Sequence, residues 1–168
     1  GETMKSFLKG LIVLAITIAV ALPVFAQDDI AKKMNDVLMK GIEEGHWQVT
    51  ADEVYMWIKT KQTDFLVVDV RPDPSEYKKG HIPGAIHMPY NEVLKSENLK
   101  RLPKNKKIIL VCATGPLQNL PIVALRTLGY DAHAMAFGYS AWIKGYRGGE
   151  AMKGVIKKAA TKNYPVEK

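Results

Sequence analysis

Apolar positions along the chain follow two periods, and the switching between them predicts a series of alternating elements. In DDIAKKMNDVLMKGIEEG (28–45), Ile30, Met34, Val37, Leu38 and Ile42 fall at helical spacing among charges, which predicts an amphipathic helix docked on the rest of the chain. A second helix is predicted over 49–60. There Thr50 and Glu53 form a capping box, and Val54, Trp57 and Ile58 share one face. DFLVVDV (64–70) and KKIILVC (106–112) are continuous apolar runs rich in β-branched residues, as strands covered on both faces require. Between them, Pro72 and Pro74 bar a regular helix through the start of RPDPSEYKKGHIPGA (71–85). A short strand around Ile86–Met88 and a helix near Asn91–Lys95 follow.

The second half repeats the scheme. LQNLPIVALRTLGY (117–130) places Leu120, Val123, Ala124 and Leu128 on one helical face, with Asn119 as N-cap and Gly129 as C-cap. Pro121 is tolerated there because it falls in the first turn. DAHAMAF (131–137) reads as a third strand, YSAWIKGY (139–146) as a short helix, and GEAMKGVIKKAATK (149–162) as a last, basic helix. Strands alternating with helices predict an α/β fold, a parallel sheet with helices on both faces. Ligands of such sheets bind beyond the C-terminal ends of the strands. Asp69 and Cys112 both end strands, so they are expected on one rim.

One segment departs from this pattern. LIVLAITIAVALPVFA (11–26) carries no charge, follows Lys5 and Lys9, and ends in the small residues Val24 and Ala26 before Gln27, Asp28 and Asp29. These features predict a cleaved secretory signal over 1–26. Residues 1–3, ahead of Met4, read as cloning-derived. The sixteen-residue run is interrupted by Pro23 and falls short of the roughly 20 apolar residues needed to span a bilayer. The expectation is export, into the periplasm, with no stable membrane insertion after cleavage. The remainder divides into the helix of 27–45, one domain over 46–146, and a basic helix and tail over 147–168.

Composition narrows the chemistry. An apolar fraction of 47% in 168 residues fits one compact domain with tails and excludes general disorder. The net charge is +7, and its densest run, KRLPKNKK (100–107), reads as a solvated loop before a strand rather than a nucleic-acid surface. Four scattered histidines and one cysteine have no zinc-site spacing, so neither a metal nor a cofactor is expected.

The one cysteine therefore matters. In an exported chain Cys112 is inert and buried, linked to another chain, or kept for its chemistry. It opens a turn, Ala113, Thr114, Gly115, Pro116 and Leu117, that leads into the predicted helix. An ordinary thiol is only about 3% thiolate at pH 7, and a shift of two units raises that to about three quarters. A helix start and a loop of successive amides favour an anion. The amides of Ala113, Thr114, Gly115 and Leu117 are the candidate donors, with the Thr114 hydroxyl beside them.

Two segments resemble a known family. VVDVRPDPSEYKKGHIPGAIHMP (67–89) is similar to the Asp-x-Arg, Glu-Tyr, Gly-His-Ile-Pro-Gly-Ala signature of rhodanese-like domains. The strand, cysteine, short loop and helix from Cys112 through LRTLGY resemble their second element, with Gly129 17 residues after Cys112. SAWIKGY (140–146) and YPV (164–166) resemble later features, so the likeness covers about 46–146 and the tail. It implies a three-layer α/β fold and a sulfurtransferase. Cys112 would take sulfur from thiosulfate, a polysulfide or a persulfide and pass it, as a persulfide, to cyanide, a thiol or a protein partner. Asp69 and Arg71 could assist catalysis but read first as a structural ion pair or loop brace in a supporting role, with Glu76 a natural partner for Arg71, and His81 resembles the family's structural histidine.

The loop departs from the family pattern. Ala113 and Leu117 stand where active members usually have arginines, and Pro116 removes an amide. A charge-assisted hydrogen bond contributes about 1.5–3 kcal/mol, so poor use of a dianion such as thiosulfate is expected. A less charged or larger donor is favoured. The alternative is a weak or inactive module of this fold that binds a partner and keeps Cys112 for packing. The short loop disfavours a phosphatase or arsenate reductase.

Overall fold

The computed structural model describes residues 27–162 and 164–167 of the chain, so the predicted signal segment 1–26 lies outside the described residues. The chain divides into two units between residues 40 and 41. Residues 27–43 are helical (α1), as their spacing predicts.

From residue 41 onward, β1 (Gln48–Val49), α2 (Ala51–Lys59), β2 (Phe65–Asp69), α3 (Pro74–Lys79), β3 (Ile86–His87), α4 (Ser96–Leu99) and β4 (Lys107–Val111) follow one another. Then come α5 (Pro116–Asn119), α6 (Ile122–Thr127), β5 (Asp131–Met135), a 3-10 turn (Gly138–Ala141) and α7 (Arg147–Ala159). The five strands form one sheet in the order β1-β5-β4-β2-β3, and each described pairing is parallel. Parallel neighbours need a crossover, which the intervening helices provide.

β4 is central because its sequence tolerates cover on both faces: Ile108, Ile109 and Leu110 are fully buried. Each such side chain contributes about 1.5–3 kcal/mol on burial. On one side β4 pairs with β2 from Phe65↔Lys107 to Asp69↔Val111, and on the other with β5 from Lys107↔Asp131 to Leu110↔Ala134. That register brings the C-terminal ends of three strands to one rim. The core below it gathers Val54, Val67, Ile82, Ile109, Val111, Met135 and Tyr139. Trp57 and Trp142 pack against this cluster half-buried. Thr50 caps α2 as predicted: its hydroxyl accepts from the Glu53 amide, and the Glu53 carboxylate accepts from the Thr50 amide.

Several local expectations are corrected. The helix predicted over 117–130 is two pieces. It starts at Pro116, one residue after Gly115, rather than behind Asn119, and it breaks at Leu120–Pro121. Pro121 carries no amide hydrogen to continue the first piece. The break also rotates the second piece, so Ile122 and Leu125 are buried while Leu120 and Leu128 are exposed. Asn91–Lys95 forms turns, and the helix lies after them at Ser96–Leu99. Of 139–146 only the 3-10 turn is regular, and β5 stops at Met135, two residues short of the exposed, left-handed Phe137. The two-residue β1 was not foreseen from the pattern.

Candidate functional site

Cys112 directly follows β4, and Asp69 ends β2 beside Val111, so the two predicted residues do share the rim. The backbone at Cys112 is held from three directions. Its amide donates to Gln118 Oε1 at 2.7 Å, and Gln118 Nε2 in turn donates to the carbonyl of Met135 at the end of β5. Its carbonyl accepts from the Tyr139 amide at 2.7 Å. The next carbonyl, of Ala113, accepts from both the amide and the hydroxyl of Ser140, at 3.0 and 2.7 Å. Gly138 makes this approach possible. It sits at φ 57°, and a Cβ there would press into the Cys112 carbonyl oxygen and stand 3.0 Å from its carbon.

The sulfur itself is buried, with Cys112 1% exposed. The Gly115 amide donates to Sγ at 3.1 Å, and Gly115 takes φ 119°, a conformation open to glycine alone. Among the described hydrogen bonds this amide is the one that reaches Sγ; those of Ala113, Thr114 and Leu117 do not. Pro116 occupies the first position of α5. With four residues in α5, the dipole is shorter than the sequence pattern suggests. Thr114 turns its methyl toward Gly148, close enough that a Cβ on Gly148 would stand 2.8 Å from it. α7 therefore begins against the loop.

Arg71 and Asp69 are both buried and form a two-pronged ion pair. Nε donates to Oδ1 at 2.9 Å and Nη2 to Oδ2 at 2.5 Å. Nη2 also donates to the Gly80 carbonyl at 2.7 Å, and the guanidinium lies over the Tyr139 ring at 4.3 Å. Burial works against the charge on Arg71, but the hydrogen bonds it donates to Asp69, with Tyr146 alongside, hold its pKa above the ordinary value. The pair braces the β2 exit beneath Tyr139. Glu76 is not its partner: the Glu76 carboxylate accepts from the Tyr146 hydroxyl at 2.9 Å and from Arg147. Burial alone would raise the Glu76 pKa, and the bonds from Arg147 and Tyr146 more than offset it, so the carboxyl titrates below its usual range.

Three of the four histidines hold loops and strands. His81 Nδ1 lies 2.9 Å from the Tyr77 carbonyl, His87 Nε2 2.8 Å from the Arg71 carbonyl, and His133 sits between Asp131 and Arg126. Among the described residues no group of three His, Cys, Asp or Glu is placed to hold a metal ion.

The structure thus brings Cys112, its loop, Asp69 and Arg71 together. Sequence reasoning missed Gln118, Gly138, Tyr139 and Ser140, which fix the loop, and Tyr146 and Arg147, which bond Glu76 where α7 begins. Gln118 offered one signal: it is polar and lies amid the apolar stretch PLQNLPIV.

The comparisons with known proteins bear on the fold that carries this site. The model of the rhodanese-like domain family matches residues 50–144. A tRNA sulfurtransferase of Desulfurococcus amylolyticus is 33% identical over 82 residues, 49% of this chain and 16% of that protein. The chain thus spans about a sixth of that relative's length. A rhodanese-like domain protein of Staphylococcus aureus superposes with a TM-score of 0.52 at 30% identity, over 58% of this chain and 92% of that one. A Bacillus halodurans protein gives 0.53 at 28% identity, over 64% and 79%. With the matched segment enclosing β2, the Asp69–Arg71 brace and the Cys112 loop, the chain belongs to the rhodanese-like domain family.

Proposed function

We propose that this chain is a sulfur-transferring enzyme or carrier that moves sulfane sulfur through a persulfide on Cys112. The observation that carries the reading is the Gly115 amide donating to Sγ from a loop whose backbone is fixed by Tyr139, Ser140 and Gln118. A thiolate attacks the outer sulfur of a donor R–S–S⁻, the donor's S–S bond breaks, and RS⁻ leaves. The new S–S bond holds the transferred sulfur on Cys112, and charge balances on both sides. Thiosulfate reacts in the same way with sulfite as leaving group, but residues 113–117 offer no cation to meet that dianion. An organic persulfide or polysulfide is the better donor. The test is mass spectrometry of the intact protein after donor treatment, with Cys112→Ser as control. A gain of one sulfur, faster from a small-molecule persulfide than from thiosulfate, is expected; no gain from any donor sinks the reading.

A second reading has its own support. Cys112 is 1% exposed and the loop is uncharged, as a binding module that keeps the thiol only for packing would have it. Iodoacetamide separates the two, since a packing cysteine stays unlabelled near neutral pH while a working one is modified. The place of action is proposed as the periplasm, on the strength of Lys5, Lys9, the apolar run 11–26 and the small residues before Gln27. Recovery of a mature chain starting at Gln27 from the exported fraction checks it.

A further inference from the structure

A second recess lies on the same rim, apart from the sulfur. Its cavity of about 370 Å³ is lined by Tyr139, Ile143, Tyr146, Lys79, Lys144 and Arg147, with Arg71 and Glu76 behind them. That volume suits a small ligand. The Tyr139 and Tyr146 rings meet edge to face at 5.1 Å and give an apolar wall.

The charges in this recess do not cancel. Arg71 is matched by Asp69, and Arg147 by Glu76, both through direct ion pairs. Among the described residues Lys79 and Lys144 form no direct ion pair; Lys79 feels Asp73 at longer range, and the lining of the recess keeps a positive excess. Tyr139 belongs to both places: its ring lines the recess while its amide holds the Cys112 carbonyl. Next to Arg147, Gly148 rests against the methyl of Thr114 in the cysteine loop. The cations absent from positions 113 and 117 are thus replaced by cations displaced to one side of the loop. Such a layout suits a substrate whose negative charge and reacting sulfur are at opposite ends.

We propose that the recess between Tyr139, Tyr146, Lys79 and Lys144 is a carboxylate-binding subsite for a small organic thiol or its persulfide, whose sulfur end reaches Cys112. The inference rests on the sulfur-transfer reading. In the acceptor direction the thiolate R–S⁻ attacks the outer sulfur of the Cys112 persulfide, the S–S bond to Cys112 breaks, and R–S–S⁻ leaves with the Cys112 thiolate restored. No external oxidant or reductant is needed. Two lysines at a half-open site give about five- to tenfold in affinity for a carboxylate, and salt screens the effect.

The experiment uses two probes of similar size, 3-mercaptopropionate with a carboxylate and 2-mercaptoethanol without one. Amide spectra of the isotope-labelled Cys112→Ser chain report binding alone. The expected result is saturable shifts at Tyr139, Gly145 and Tyr146 with 3-mercaptopropionate only, weakened about five- to tenfold in Lys79→Gln/Lys144→Gln. Equal shifts with both probes, no shifts, or shifts indifferent to the lysine changes overturn the subsite. In parallel, a persulfide-loaded wild-type chain is expected to discharge faster to 3-mercaptopropionate, and the advantage disappears in the double variant. A chain that never loads sulfur, yet binds the carboxylate at these amides, refutes the sulfur-transfer reading and leaves an organic-anion site.

Discussion

Gly138→Ala is the sharpest probe of how the cysteine loop is held. Gly138 sits at φ 57°, where a side chain costs about 1–2 kcal/mol. The added Cβ would also press into the Cys112 carbonyl oxygen and stand 3.1 Å from the carbonyl carbon of Ala113. Both obstacles are backbone and cannot swing aside. Relief requires the Cys112 carbonyl to move off the Tyr139 amide, and a buried hydrogen bond left unmade costs about 1–3 kcal/mol. The sum is about 2–5 kcal/mol. Gly84→Ala is the matched control, since Gly84 has φ 79° and nothing within 4 Å of its added Cβ. It is expected to lose only the conformational part, about 1–2 kcal/mol. Urea unfolding of both variants with unchanged slopes gives the difference, and iodoacetamide reports whether the loop at Cys112 has opened. Equal losses in the two variants, with identical labelling rates, would refute the claim that this contact shapes the site.

Three further outcomes follow from the same geometry. Gln118→Leu leaves the Cys112 amide and the Met135 carbonyl without their partner. It is expected to lose about 2–4 kcal/mol in urea unfolding and to speed hydrogen exchange at the Cys112 amide. Asp69→Asn leaves a buried guanidinium uncompensated and is expected to lose about 3–5 kcal/mol. Persulfide loading by the fraction that stays folded should be unaltered, because the pair is a brace; lost loading with normal stability would make Asp69 a participant in the chemistry. Glu76 titrates below its ordinary value of 4.5 in the folded chain, so the unfolded chain takes up the proton first. Its contribution is full above about pH 5 and disappears as pH falls through the folded pKa. The stability difference between wild type and Glu76→Gln should therefore shrink steadily on acidification, and a difference constant from pH 7 to about pH 3 would contradict the assignment.

What the sequence revealed depended on how local the cause was. β2 and β4 were legible because strands covered on both faces need uninterrupted apolar runs, and α2 because its cap lies within four residues. Cys112 and Asp69 followed from the rule that strand ends share a rim. The break at Leu120–Pro121 was misjudged because the helix begins at Pro116, which moves Pro121 from the tolerated first turn to a position that ends the helix. Glu76 lies five residues from Arg71, and proximity along the chain suggested a pair that the fold resolves otherwise. Its real partners, Tyr146 and Arg147, are 70 and 71 residues away. Gly138 and Gln118 gain their meaning only from the carbonyls they meet across the sheet.

The position of α7 has a consequence for where this protein should be cut. The match to the family model ends at residue 144, yet Arg147 and Tyr146 are bonded to Glu76, and Gly148 touches the cysteine loop. The edge of recognisable kinship and the edge of the working unit are therefore different lines. A fragment trimmed to the matched segment would keep the Asp69–Arg71 brace and the Cys112 loop while losing the segment that packs against that loop, and its reactivity would describe a different site.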